Sequence, residues 1–496
     1  MRLSPFPIVL PTNGNFLAAH LGSRRNSLDL LRLIAASLVI VGHSYAIVGS
    51  GVDPMAAWNG SIYSGLFALH VFFFISGLLV TNSFLNKPDL VSWLVSRALR
   101  ILPALFVCLV LIVFVLGSAL TTLPVNQYLA HHDTWNYFLG NLLLLRTRFI
   151  LPGVFAGKPV NGPLWSLFLE VRLYLLAAVL LWIFRGRRRE WLTTALGAIA
   201  IVGLVAPRWI LVFGETDNNM ACSGLFLLGA LCALWSDKVL ISNIWLVVLF
   251  LAANNYARTP AFGPVFFFFT CYFVLCFGFS RFLSAIHLPG DYSYGLYIYG
   301  WPVQQVMAKY FPNWSPPLNA ASSLVIATAV AALSWHLVEK RCLAQKKRMS
   351  GAPAAPWKKL VPIAAGCALA ILIGAGLYQL KPAEGSTSVD EQLPLQPLGT
   401  IQAFGPTEVV AGKPFNVQPD GSSAMWVRLS SSANRKSSIV FQNRKLKTVA
   451  AGHVLTAKVP AELFVNPGEV DIYVVDENYT PSTRTPSTRL TVLNPR

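Results

Sequence analysis

Apolar residues fill most of the first 340 positions in long blocks, broken by short polar or basic turns. The blocks lie near 27–48, 63–85 and 101–120, then from Leu164 up to a basic cluster at 185–189. Others follow near 191–213, 219–236, 240–257, 262–281, 291–309 and 318–338. A stretch of about 20 apolar residues crosses a bilayer as one helix, so the pattern predicts ten spanning helices. A further block at 360–379 predicts an eleventh. Between 121 and 163 the apolar run in HHDTWNYFLGNLLLLRTR is too short to span and reads as re-entrant or interfacial.

The pattern changes after Lys381. Residues 381–398 are rich in Pro, Ser and Gly and read as a linker. Beyond Gly399 come short runs of β-branched and aromatic residues at 400–404, 415–418, 425–429, 438–441, 454–459, 470–475 and 490–493. Turn sequences such as GPT and NPGE separate them. Seven short strands in under 100 residues predict a β-sandwich. The expected fold class is an α-helical polytopic membrane protein with a C-terminal all-β domain. Its expected parts are a cytoplasmic lead (1–26), a ten-helix core (27–341), a basic cytoplasmic loop (342–359), the eleventh helix (360–380), the linker (381–398) and the sandwich (399–496).

Composition agrees with the pattern. The 496 residues are 54% hydrophobic and 12% charged, against about 25% charged in a soluble domain. Of the net charge of +18, about +16 precedes residue 381, because the remainder holds twelve Lys/Arg against ten Asp/Glu. That excess gathers in alternate turns, as membrane topology expects, so no nucleic-acid partner is inferred from it. Arg24 and Arg25 place the N-terminus inside, and the basic residues after 339 mark another inside loop. The eleventh helix then puts the sandwich outside. All seven cysteines precede residue 368 and lack metal-like spacing, so neither a disulfide framework nor a metal site is expected. The first apolar segment is too long and too charged for a cleaved signal peptide.

Candidate chemistry begins in that first segment, SLDLLRLIAASLVIVGHSY, which carries Asp29, Arg32 and His43. Ionisable groups at membrane depth are costly and mark functional interiors. Arg32 and His43 are 11 residues apart, which puts them on one helix face about 16 Å apart along the axis. An Arg near one membrane surface and a His deeper in suggest a path from a charged cofactor to a reactive centre. The plainer alternative is a snorkelling Arg and a structural His.

Six stretches, in order, resemble the acyltransferase type 3 family of integral-membrane acyltransferases. They are Arg32-x10-His43; His70-Val-Phe-Phe-Phe-Ile-Ser76-Gly77; Ser96-Arg97-Ala-Leu-Arg100-Ile-Leu-Pro103; Gly162-Pro-Leu-Trp165 continuing to Glu170 and Tyr174; Tyr292 through Tyr297 to Gly300-Trp-Pro302; and Ser334-Trp-His-Leu-Val-Glu339-Lys340. Many relatives carry His where Gly300 stands, so that position supplies no catalytic group here. Separately, VVAGKPFNVQPDG at 409–421 resembles the opening of immunoglobulin-like domains of the transcription-factor/plexin type.

The resemblance implies acyl transfer, commonly acetyl, from cytoplasmic acyl-CoA to a hydroxyl of an extracytoplasmic or lipid-linked glycan. The expected partners are acyl-CoA as donor substrate, a cell-surface polysaccharide or lipid-linked sugar, and membrane lipid, in a bacterial plasma membrane. No permanently bound cofactor is expected. His43 suits a general base on the acceptor hydroxyl, or a nucleophile that takes the acyl group; both stay open. Arg32, with Arg97 and Arg100, suits the CoA phosphates; topology alone also explains the latter two. Asp29 is expected to orient Arg32. Glu170 is expected to polarise His43, bind a sugar hydroxyl, or pair with an Arg. Trp165, Tyr174 and Tyr297 are expected in support, Ser76 in close helix packing with Gly77, and Glu339 in a structural place beside Lys340. His131, His132 and Asp133 read as a solvated loop.

Two other classes remain. A transporter or flippase predicts paired broken helices in two related halves, and no internal repeat is visible. A membrane-tethered glycan-binding module has no need of an Arg–His stripe.

Overall fold

The computed structural model describes residues 16–21, 26–144, 147–205, 217–286, 288–344, 400–418, 422–430, 437–442, 444–451, 454–476, 483–485 and 487–494. The chain divides into two units, Met1–Pro382 and Ala383–Arg496. Arg24, Arg25, the basic residues from 345 to 359, the apolar segment at 360–379 and the linker at 381–398 lie outside the described residues.

The first unit is helical. Its main elements are α1 (Leu28–Val48), α2 (Ser64–Asn86), α3 (Leu90–Val110), α4 (His132–Leu142), α5 (Leu164–Ile183) and α6 (Arg189–Val205). They continue as α7 (Asp217–Leu234), α8 (Asn243–Asn255), α9 (Phe262–Gly278), α10 (Ser293–Tyr310) and α11 (Pro316–Ser334). Among the described residues, five helices are long and apolar enough to cross a membrane: Leu28–Val48, Ser64–Asn86, Leu90–Leu120, Leu164–Ile183 and Pro316–Ala344. Apolar side chains on the outside of this unit, such as Val115, Leu251 and Val325, are 59%, 59% and 72% exposed. That suits a lipid solvent.

Two boundaries differ from the sequence reading. The segment between the apolar blocks at 63–85 and 101–120 is already helix from Leu90. Its apolar positions Leu90, Trp93, Ile101 and Ala104 keep a helical stripe buried, which leaves Arg97 and Arg100 on a helix rather than in a turn. α11 likewise runs on through a π-helical stretch, Trp335–Glu339, and Arg341 stays helical. A second π-helical stretch, Leu111–Gly117, extends α3. There the Tyr128 hydroxyl donates to the Val113 carbonyl at 2.9 Å, which occupies the widened turn.

α2 is the central helix, buried along most of its length. It meets α7 at backbone distance. A Cβ on Gly77 would fall 1.9 Å from the Phe226 carbonyl oxygen, and one on Gly229 would fall 2.3 Å from that of Phe74. Gly77 therefore serves close packing, as expected, while its neighbour Ser76 faces another way. Gly77→Ala is expected to destabilise the unit by about 2 kcal/mol through overpacking. Thermal unfolding of the purified protein measures this, and an unchanged midpoint would contradict the contact.

The second unit is all β. One sheet has the order β1 (Ile401–Gly405), β3 (Ser423–Leu429), β7 (Val454–Val459), β6 (Thr448–Ala451). The other has the order β2 (Glu408–Val410), β10 (Thr488–Leu493), β8 (Gly468–Asp476), β4 (Ser437–Phe441), β5 (Arg444–Lys445), with β9 (Thr483–Arg484) beside β8. Val427 and Leu455 of the first sheet share one core with Ile439, Ile472, Val474 and Leu490 of the second. The run at 415–418 is not a strand. Asn416 takes a positive φ of 44°, which breaks an extended backbone.

Candidate active site

Five helices, together with Leu343 from the continuation of α11, enclose a cavity of about 320 Å³. α2 supplies an apolar wall with one polar gap: Leu69, Phe72, Phe73, Ser76 and Val80 recur at helical spacing and all face it. Arg32 enters from α1, Arg97 and Arg100 from α3, Ser166, Glu170 and Tyr174 from α5, and Tyr294 and Tyr297 from α10. Asp291, just before α10, completes the lining at the arginine end. Arg32, Ser76, Arg97, Arg100, Glu170, Tyr174 and Tyr297 were singled out in the sequence, and here they meet. Asp29, His43, Trp165 and Glu339 are not in the lining.

At the arginine end, the Asp291 carboxylate bonds Arg100 and lies 3.7 Å from an Arg32 nitrogen. Ser293 donates to its other oxygen at 2.7 Å. Asp29, expected to orient Arg32, makes no ion pair with it; Asp291 takes that place. The only sequence signal for Asp291 was a lone acid opening the Tyr-rich block. Arg97 is paired with no carboxylate among the described residues, and its buried Nε has no hydrogen-bond partner.

Next to the arginines sits a closed polar group. Ser76 donates to Glu170 Oε1 at 2.7 Å, and the Tyr174 hydroxyl donates to the same oxygen at 2.5 Å. The Ser76 and Tyr174 oxygens are 2.8 Å apart. Tyr174 lies one turn below Glu170 on α5, so one helix face presents both. Among the described residues, Glu170 thus forms no hydrogen bond with His43 and no ion pair with an arginine.

At the far end, Ser166 and Tyr297 join at 2.5 Å, and Tyr297 also donates to the Pro163 carbonyl at 2.9 Å. One turn further along α10, Trp301 donates to the Pro159 carbonyl at 3.0 Å and meets His43 edge-on, centroids 4.8 Å apart. The His43 ring also lies 5.7 Å from that of Tyr63. It is buried, and its Nδ1 has no hydrogen-bond partner. His43 therefore stands about one turn, near 6 Å, beyond the Tyr297 end. At Gly300 a Cβ would come 2.7 Å from Ile40, so this backbone packs directly on α1.

The remaining residues fall elsewhere. Trp165 packs against the helical core. Glu339 is buried and accepts from Ser334 at 3.0 Å, and its Oε2 has no partner among the described residues. His70, quoted in the sequence only as part of a motif, is buried with both ring nitrogens unbonded.

Comparison with known proteins adds a family. The acyltransferase domain family matches residues 25–336. The chain is 28% identical over 328 residues to an O-acetyl transferase of Shigella phage Sf6, covering 64% of this chain and 96% of that one. It is 27% identical over 365 residues to nodulation protein 10 of Rhizobium leguminosarum bv. viciae, covering 65% and 94%. No solved structure matches.

Proposed function

The chain belongs to the acyltransferase domain family and is a membrane O-acyltransferase, and on that premise we propose that it moves an acetyl group from acyl-CoA to a glycan hydroxyl. The acceptor is a cell-surface polysaccharide or lipid-linked sugar. The membrane is the bacterial plasma membrane, with the arginine end facing the cytoplasm and the β unit outside.

The observation that carries this is the span from the arginines to His43. From the pyrophosphate to the sulfur, the pantetheine arm of CoA has about 13 bonds. At about 1.25 Å of advance per bond it extends about 16 Å. Eleven residues of continuous helix between Arg32 and His43 also rise about 16 Å. A donor whose phosphates sit on Arg97, with Arg32 and Arg100 beside it, delivers its thioester to the level of His43. Arg97 leads because Asp291 already balances the other two, and a guanidinium forks onto phosphate oxygens.

At that level His43 takes the proton of the acceptor hydroxyl as its oxygen attacks the thioester carbonyl. The new C–O bond forms, the C–S bond breaks, and the proton passes on to the departing CoA thiolate. Trp301 and Tyr63 flank the ring and hold it in place. The acetyl group is supported by the relative from phage Sf6, itself an O-acetyl transferase. The orientation is supported by the basic turns. A transporter reading has no comparable support.

The test is the ester content of surface glycan in cells lacking the chain. Esters should disappear and return with the wild-type gene; unchanged esters would remove this acceptor. In membranes, Arg97→Ala should raise KM for acetyl-CoA about tenfold, the value of one charge-assisted hydrogen bond, with little change in kcat. An unchanged KM would take Arg97 out of the donor site.

A further inference from the structure

Among the described residues, the cavity holds one cation and one anion without an ion-pair partner. Arg97 has no carboxylate partner, as described above. Glu170 has no Lys or Arg within ion-pair distance among the described residues, and both of its hydrogen bonds fall on Oε1. Ser76 and Tyr174 thus pin the carboxylate by one oxygen, while Oε2 accepts no hydrogen bond from the described residues and Glu170 lines the cavity. A carboxylate held this way at membrane depth requires a donor to Oε2, and the described protein supplies none.

We propose that Glu170 Oε2 accepts a hydrogen bond from the pantoyl hydroxyl of acyl-CoA, so that the Ser76–Glu170–Tyr174 group reads the arm of the donor. This rests on the donor reading given above. The depth of Glu170 supports it. Tyr297 lies four residues, about 6 Å of helix rise, from Ser293 at the start of α10, and Asp291 precedes Ser293 by two further residues, about 3 Å more. Ser166, bonded to Tyr297, lies one turn, about 6 Å, from Glu170. Glu170 is therefore about 3 Å along the axis from the arginine level. In a donor anchored by phosphate at that level, the pantoyl carbinol is four bonds from phosphorus, about 5 Å away. The first amide nitrogen is about 7.5 Å away and the second about 12 Å. The hydroxyl is the group nearest to Glu170, and its single O–H meets the single free acceptor. No bond is made or broken by this contact; Glu170 and its two partners position the donor.

Calorimetric titration of the full chain in detergent with CoA, and with CoA lacking the pantoyl hydroxyl, tests it. Wild type should bind the deoxy analogue about tenfold more weakly, as for a hydrogen bond to a charged group. Glu170→Met, which keeps the volume and removes the acceptor, should bind both ligands equally. Tyr174→Phe, which loosens the carboxylate, should reduce the ratio, and Glu170→Gln should keep part of it. Equal binding of both ligands by wild type, or a full tenfold ratio in Glu170→Met, would overturn the proposal. The comparison of ligands on wild type needs no variant to fold. Tight CoA binding without discrimination removes this contact alone, whereas no CoA binding at all removes the donor reading with it.

Discussion

His43→Ala is expected to lower acyl transfer by about 10²–10⁴-fold, the range for a positioned general base, while CoA still binds with wild-type affinity. The separation follows from geometry. His43 lies beyond the Tyr297 end of the cavity and packs near Trp301 and Tyr63, whereas Arg32, at the end where the donor phosphates sit, lies about 16 Å away along α1. Removing the imidazole leaves the phosphate site intact and takes away the group that receives the acceptor proton. Because the ring also packs on Trp301, His43→Gln is the companion variant. It keeps much of the volume, cannot act as a base near neutral pH, and should be as inactive as Ala. Release of CoA thiol from acetyl-CoA in membranes containing acceptor measures the loss, and calorimetry measures binding. Near-wild-type turnover in both variants would remove His43 from the chemistry. A loss of CoA binding equal to the loss of turnover would move His43 to the donor site.

Asp291→Ala should destabilise the helical unit by about 3 kcal/mol, as expected when one partner of a buried ion pair is removed. Asp291 bridges Arg100 of α3 and Arg32 of α1, and the side chains of all three are less than one-quarter exposed. Without the carboxylate, two guanidiniums face each other in a partly closed site. The sign of the ligand effect then becomes informative. Phosphates arriving at the same end would supply the missing negative charge, so CoA should raise the unfolding midpoint of the variant more than that of wild type. Asp291→Asn keeps the Ser293 contact and should fall between the two. Thermal unfolding with and without CoA provides the four numbers needed. A variant as stable as wild type would mean that the ion pair contributes nothing. A variant that CoA fails to stabilise further would separate the phosphate site from Asp291.

Much of this protein was legible as one-dimensional pattern. Long apolar blocks predict helices because a chain in lipid must satisfy its backbone within each segment. Alternating β-branched runs predict the C-terminal sheets, since side chains on a strand alternate between core and solvent. Arg32 and His43 were legible as one face of one helix because helical spacing is a local property. The eleventh segment and the linker fall on residues outside the description, so their boundaries stay expectations.

Spacing tells which face a residue occupies, and not what lies opposite. Asp29, three residues from Arg32, looked like its partner; Asp291, 259 positions away, holds that place because α10 begins beside α1. Ser76 and Gly77 were read together as packing residues, yet one turns to Glu170, 94 positions on, and the other to Phe226. The helix beginning at Leu90 starts well before the apolar block at 101–120, because the positive charges that mark a membrane surface do not say whether the backbone there is coiled. Local periodicity, charge and turn chemistry act over one or two turns of chain, and they set the elements and their faces. Pairing between distant segments depends on how those faces pack, and that arrangement brought the arginines, Glu170 and the aromatic end around one cavity.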